Sequence, residues 1–547
     1  MDAMVSRVAA FADKRALLSP KRAQLMLRCL RSSTMLVGVA ASLACIQTLA
    51  AGSPTAAMTL AVHAPRVETR NGVVEGFALA GLDVFKGIPF AAPPVGDLRW
   101  RAPFPPASWE GVRQATSFGP ACIQDRALTT LAGGDPGAVA EDCLYLNVWT
   151  PRAAPTAKLP VMVWIHGGAL VIGAASQPIY DAAALARRGV VIVSINYRLG
   201  ALGFFAHPAL ARETPGGPVN FGLLDAIAAL RWVQDNIAAF GGDPGNVTIF
   251  GESAGAQSVL ALYSSPLARG LFHKGIAQSA YGLPSHTRAK ASAVGTSIAT
   301  AVGLDGANAS AEALRAVPAQ RFVGLKGPAL SLAPSFVAGD AALPTTILDA
   351  FARQSVPAAP LIIGSNSDEA SIAAVFGVDA GALVDRLGAG RMVLDALYPG
   401  VTDREQLGRE TVRDLLFTSF ARRISYLHGN RAPTWRYYFS YVPIGSRATV
   451  RGVAHGAEIP FVFDVRAVLP APRDRVVAKD VGDYWVSFAR SGVPAAASAP
   501  RWPPDDALRG RVLEFGDPVA VRDNFMAFRL NAFISTIDVV GALLGGN

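Results

Sequence analysis

The sequence predicts an α/β protein built on a doubly wound, mostly parallel sheet, and three observations carry that prediction. Apolar runs rich in β-branched residues lack the apolar/polar alternation of a half-exposed strand, as strands buried on both faces do. These runs alternate with stretches of helical periodicity, the pattern of strand-helix-strand units. One of them leads through Gly-Glu-Ser-Ala-Gly, residues 251–255, straight into an apolar helical stretch.

Taken in chain order, residues 161–165 (VMVWI) and 190–195 (VVIVSI) read as buried parallel strands, with a short helix at 181–188 between them. Residues 220–240 form a longer helix, because Leu223, Leu224, Ile227, Leu230, Trp232, Val233 and Ile237 recur at helical spacing. Gly241-Gly242-Asp243-Pro244 stops it. The strand 247–250 precedes the pentapeptide, and later strands are expected at 275–277, 361–363 and 435–439. The Ala-rich stretch 285–359 reads as an inserted helical cap. Beyond residue 52 there is neither an internal repeat nor a low-complexity linker, so residues 52–547 are expected to form one domain.

Composition limits the function classes. A chain with 51% hydrophobic and 17% charged residues is a packed globular protein. Its net charge of +9 is unevenly spread, since residues 1–50 hold seven basic residues against two acidic ones. No polybasic cluster with interleaved aromatics occurs in the body, which argues against nucleic-acid binding. The N-terminus has the layout of an export signal: a basic stretch to Arg31, an apolar segment at 35–46, then small residues. Cleavage is expected near Ala50 or Ala51, leaving no stable membrane insertion. The apolar segment falls short of a span of about 20 residues. Cys45 is a poor lipidation site, because Ser42 stands where an aliphatic residue is expected. After cleavage only Cys122 and Cys143 remain, and one pair in an exported chain reads as a single disulfide. In the chain-entropy picture, a loop of that length contributes about 3 kcal/mol.

The pentapeptide supplies the chemistry. A serine on a sharp strand-to-helix turn projects its hydroxyl away from the backbone, and the helix amides behind it favour negative charge. Ser253 is therefore the candidate nucleophile. An oxyanion hole needs backbone N–H groups that approach closely, and His166-Gly167-Gly168-Ala169 follows the strand ending at Ile165. The expected donors are the amides of Gly168, Ala169 and Ala254, as in an α/β-hydrolase fold. In that fold the base follows both nucleophile and acid. His273 comes too early, His286 opens the insertion and His428 lies in a helical run. His455, among small residues in a late loop, is the candidate base. The acid should follow a strand between Ser253 and His455, and the segment after Ile363 offers both Asp368 and Glu369. The residues alone do not separate those two.

The chain resembles the type-B carboxylesterases, which include cholinesterases and bacterial p-nitrobenzyl esterases. The resemblance rests on residues 85–91 (FKGIPFA), 141–147 (EDCLYLN), 166–169, 196–198 (NYR), 240–255 and 455–461 (HGAEIPF). It spans nearly everything after residue 66. It implies an α/β-hydrolase fold with helical cap insertions and a serine esterase acting on a small-molecule ester and water, with no metal or organic cofactor. It assigns the acid to Glu369, where Ala370 replaces the usual glycine, and the disulfide to Cys122 and Cys143. It further implies a buried Arg99–Glu141 pair and, at Ser279, a serine that supports the acid. An amidase or peptidase on the same fold, and a non-catalytic adhesion protein, are the alternatives. Cholinesterase activity is disfavoured, because residues 123–142 contain no aromatic side chain to hold a cation.

Overall fold

The unalternating apolar runs become the centre of an eleven-stranded sheet. The computed structural model describes residues 64–283, 286–325, 334–375, 379–386, 391–506 and 508–544. The expected export segment, with Cys45 and the cleavage site at Ala50 or Ala51, lies outside the described residues. In chain order the strands are β1 Phe77–Leu79, β2 Leu82–Pro89, β3 Tyr145–Thr150, β4 Leu159–Ile165, β5 Val191–Ile195 and β6 Gly242–Glu252. They continue as β7 Lys274–Gln278, β8 Leu361–Asn366, β9 Thr434–Phe439, β10 Val512–Phe515 and β11 Ala520–Arg522. Their order across the sheet is β1-β2-β3-β5-β4-β6-β7-β8-β9-β10-β11. The run from β5 to β10 is parallel throughout. The pairs β1–β2, β2–β3, β3–β5 and β10–β11 are antiparallel and lie toward the edges.

Helices cover both faces, which is why the strands needed no polar alternation. The helices used below are α1 Pro208–Glu213, α2 Phe221–Asn236, α3 Ala254–Ser264, α4 Arg288–Ala301, α5 Arg404–Arg413, α6 Ser419–Gly429 and α7 Pro472–Ser491. Val161, Val163, Ile165, Val193, Ile249 and Ile363 pack on one face with Leu223, Ile227, Leu230 and Val233 of α2 and Val259 of α3. Met162, Trp164, Ile192, Phe250 and Ile362 turn to the other face, against Val477, Val481, Trp485 and Phe488 of α7. Burying each such side chain contributes about 1.5–3 kcal/mol.

Two expectations change in extent. The short helix at 181–188 contracts to Ala183–Ala186, preceded by a 3₁₀ turn at Pro178–Tyr180. The strand before the pentapeptide runs from Gly242 instead of Val247, with a register shift between those residues. Helix α2 passes through a 3₁₀ turn to Gly241, whose φ of +84° ends it where the sequence placed the stop.

Three cross-links brace the loops around the sheet. Cys122 and Cys143 are disulfide-bonded. Arg99 donates from Nε and Nη2 to both oxygens of Glu141, at 2.5 and 2.7 Å. Arg198, just after β5, binds Asp225 of α2 through its backbone N–H, Nε and Nη2, with both side chains almost fully buried. Among the described residues, no helix is long and apolar enough to cross a membrane.

Candidate active site

Strand β6 ends at Glu252 and α3 begins at Ala254, so Ser253 alone makes the turn, with φ at +56°. Such left-handed backbone is costly for a non-glycine residue and is kept where the surroundings enforce it. Here they do: Ser253 N–H donates to Gln278 O at the end of β7 (2.8 Å), and Gln257 N–H donates to Ser253 O (2.9 Å). The flanking glycines are there for packing. A Cβ on Gly251 would lie 2.6 Å from Ile165 O, and one on Gly255 would strike the same carbonyl. Only glycine lets β6 and α3 close on the end of β4.

That end of β4 leads into the glycine loop expected to supply oxyanion donors. Gly168 and Ala169 have φ of +107° and +54°, and Gly168 O accepts from Val171 and Ile172 N–H. Among the described residues, the amides of Gly168, Ala169 and Ala254 donate to no protein acceptor. They are free to meet a negatively charged oxygen. His166 opens that loop. Its ring is buried and stacked on Tyr197, and burial lowers its pKa to about 4.

The candidate base and the candidate acid lie in direct contact. His455 Nδ1 lies 2.6 Å from Glu369 Oε2, and Glu369 is fully buried. Glu369 Oε1 accepts the Asn366 backbone N–H at 2.7 Å. Asp368, the other carboxylate the sequence left open, points elsewhere and pairs with Arg409 of α5. The loop bearing His455 is strapped to the loop bearing the acid: Asp368 N–H donates to Val453 O (2.8 Å) and His455 N–H to Ser371 Oγ (2.9 Å). The rejected histidines are occupied. His428 Nε2 contacts Ala359 O at 2.8 Å, and His273 Nδ1 accepts Val247 N–H at 3.1 Å.

Ser279 Oγ, the hydroxyl expected to support the acid, is buried and makes no direct hydrogen bond to Glu369 among the described residues. Its backbone is left-handed at φ +54°, and its N–H donates to Gly364 O, joining the ends of β7 and β8. Asn366 does reach Glu369 directly. Its backbone holds Glu369, while its side-chain amide donates to Ala454 O (3.0 Å) and to buried Glu458. Glu458 also accepts from Gln278 Nε2 at 3.1 Å.

Sequence reasoning also missed Glu252, although it sits inside the pentapeptide. Its Oε1 lies 3.2 Å from His455 Nε2, so the imidazole is held between two carboxylates. No hydrogen bond joins Ser253 Oγ to His455 among the described residues, and such contacts are commonly loose before substrate binds. Burial alone would lower the His455 pKa, but Glu252 and Glu369 outweigh it and hold the imidazole above its ordinary value. Burial pushes the Glu252 carboxyl up. Phe417, in a π-helical turn at Asp414–Thr418, packs its ring 5.3 Å from the His455 ring. No signal short of the folded chain distinguishes Asn366, Glu458 or Phe417 from structural residues.

A general base must be neutral to accept a proton, so raising its pKa places the acid limb of the pH profile high. Replacing Glu252 by Gln removes one of the two charges that raise it. In kcat/KM measured from about pH 5 to about pH 11, the acid limb of Glu252→Gln is expected to lie at lower pH than the parent's. An unmoved limb would show that Glu252 does not act on the base.

The sequence profile of the Carboxylesterase family matches residues 63–391 and 401–533. The chain is 37% identical over 480 residues to a fumonisin B1 esterase from Sphingopyxis macrogoltabida, covering 82% of this chain and 86% of that one. It is equally 37% identical, over 463 residues, to a para-nitrobenzyl esterase from Bacillus subtilis (strain 168), covering 80% and 92%. Among solved structures, a thermophilic pNB esterase superposes with a TM-score of 0.74 at 31% identity, covering 86% of this chain and 99% of that one.

Proposed function

This chain belongs to the carboxylesterase family, and on that premise we propose that it cleaves its ester through an acyl-serine formed on Ser253. The protein is a carboxylic ester hydrolase, so its partners in turnover are a small-molecule ester and water. In the proposed mechanism His455 takes the Ser253 proton as Oγ attacks the ester carbonyl. The N–H groups of Gly168, Ala169 and Ala254 receive the developing oxyanion. His455 then returns the proton to the departing alcohol, and water repeats the sequence on the acyl-enzyme. Glu369 keeps the Nδ1 proton in place and stabilises the imidazolium.

The observation that carries this reading is the 2.6 Å contact between buried Glu369 and His455, on an imidazole whose other nitrogen faces the residue before Ser253. An amidase reading and an adhesion reading gain no support from the two relatives described above, both named as esterases. The test is covalent capture. Diethyl p-nitrophenyl phosphate should add one diethylphosphoryl group per chain, mapped by mass spectrometry to the peptide holding Ser253, with loss of ester hydrolysis. Full inactivation with the label on another residue would overturn the assignment.

Export is part of the same proposal. Residues 1–51 act as the signal, and the Cys122–Cys143 disulfide supports a periplasmic or secreted location, because such bonds persist in oxidising compartments.

A further inference from the structure

Beside α1 and the start of α4 lies a groove of about 490 Å³ that contains none of the residues of the candidate active site. Its apolar wall includes Trp100, Phe104, Leu210 and Val219, and its charged wall includes Arg101 and Arg288. Phe104 is 51% exposed, a large aromatic left facing water.

The electrostatics of the groove are one-sided. Glu213 is its only acidic lining residue, and both carboxylate oxygens already accept from Arg315, at 2.7 and 2.8 Å. Arg101 approaches Glu213 no closer than 3.8 Å and spends its Nε on Asp97 O. Arg288 donates from Nη2 to Gly217 O, while its Nη1 is buried without a hydrogen-bond partner among the described residues. His207 adds no charge: its ring nitrogens contact Ala209 N–H and Gly306 O, and burial lowers its pKa.

The Arg101 guanidinium, with donors to spare, and the Arg288 guanidinium therefore line an apolar trough of ligand-binding size, which runs from about 300 to 1,000 Å³. We propose that this groove is an accessory site for an aliphatic monocarboxylate, the headgroup held by Arg288 and Arg101 and the chain lying along Trp100, Phe104, Leu210 and Val219. A carboxylate offers the paired acceptors that a guanidinium fork matches. The apolar wall selects against small inorganic anions, which would leave it in water. The site is separate from the esterase reading and stands without it.

Dodecanoate binding to the full chain, with the active-site serine replaced (Ser253→Ala), is measured by isothermal titration calorimetry. Dodecanoate should bind at one site, and dodecanol, lacking the carboxylate, should bind roughly tenfold more weakly or worse. Arg288→Ala and Arg101→Gln, made separately, should each weaken dodecanoate by several-fold. In the chain with Ser253 intact, both substitutions should leave hydrolysis of a short p-nitrophenyl ester unchanged, which controls for folding. Arg101 is largely exposed, so its replacement tests the site even where Arg288→Ala disturbs the fold. Absence of dodecanoate binding, equal binding of dodecanol, or full affinity in Arg101→Gln overturns the proposal.

Discussion

Ser253→Ala is expected to lower kcat for p-nitrophenyl ester hydrolysis by about six orders of magnitude, the scale on which removing a triad nucleophile acts. Removing Oγ deletes the atom that forms the acyl bond, and neither the anion-binding loop nor the base can replace it. Folding should be untouched. Ser253 is held through its backbone, by Gln278 O and by Gln257 N–H, and alanine keeps both bonds. Its left-handed φ of +56° is enforced by the closure of β6 and α3 on Ile165 O, and that closure depends on Gly251 and Gly255. The thermal midpoint of Ser253→Ala should accordingly stay close to the parent value. Retained turnover in a preparation shown by mass to carry only alanine would remove Ser253 from the mechanism.

Glu369→Gln is the second large effect, expected at about 10⁴-fold in kcat with little change in KM. Glu369 is fully buried and uses both oxygens, one toward His455 Nδ1 and one toward the Asn366 N–H. A glutamine has one acceptor to serve two donors. If its oxygen meets Nδ1–H, its NH₂ faces the Asn366 N–H, two donors together in the interior. If it turns over, the imidazole must present a lone pair at Nδ1 and carry its proton on Nε2, the wrong tautomer for a base. The first arrangement costs about 1–3 kcal/mol of stability and the second costs the reaction. Asp368→Asn is the matched control. Asp368 pairs with Arg409 and not with the imidazole, so its loss should change kcat less than tenfold. A larger effect from Asp368→Asn than from Glu369→Gln would exchange their roles.

The fold was legible because the central strands are buried on both faces. Val161 and Met162 belong to different cores, one under α2 and the other under α7, so every position in that strand had to be apolar. The same logic failed for the helix at 181–188. There an alanine-rich composition reads as a helix over eight residues, and the helix formed is Ala183–Ala186. The site was legible where a residue type is dictated by backbone geometry. Gly251 and Gly255 admit no side chain, and Ser253 lies between them.

What the sequence by itself determined, then, was the Ser253 turn, the glycine loop after β4, a late candidate histidine and a short list of candidate acids. Each follows from local rules that act within a few residues. Only the tertiary structure set Glu369 against the imidazole and Asp368 away from it, placed the Asn366 N–H on Glu369, and brought Glu252 to the far side of the ring. Those contacts join residues from 3 to 203 positions apart, and a hydrogen bond depends on where a side-chain atom points to within tenths of an ångström. Strand order and loop closure set that direction, and no periodicity along the chain records it.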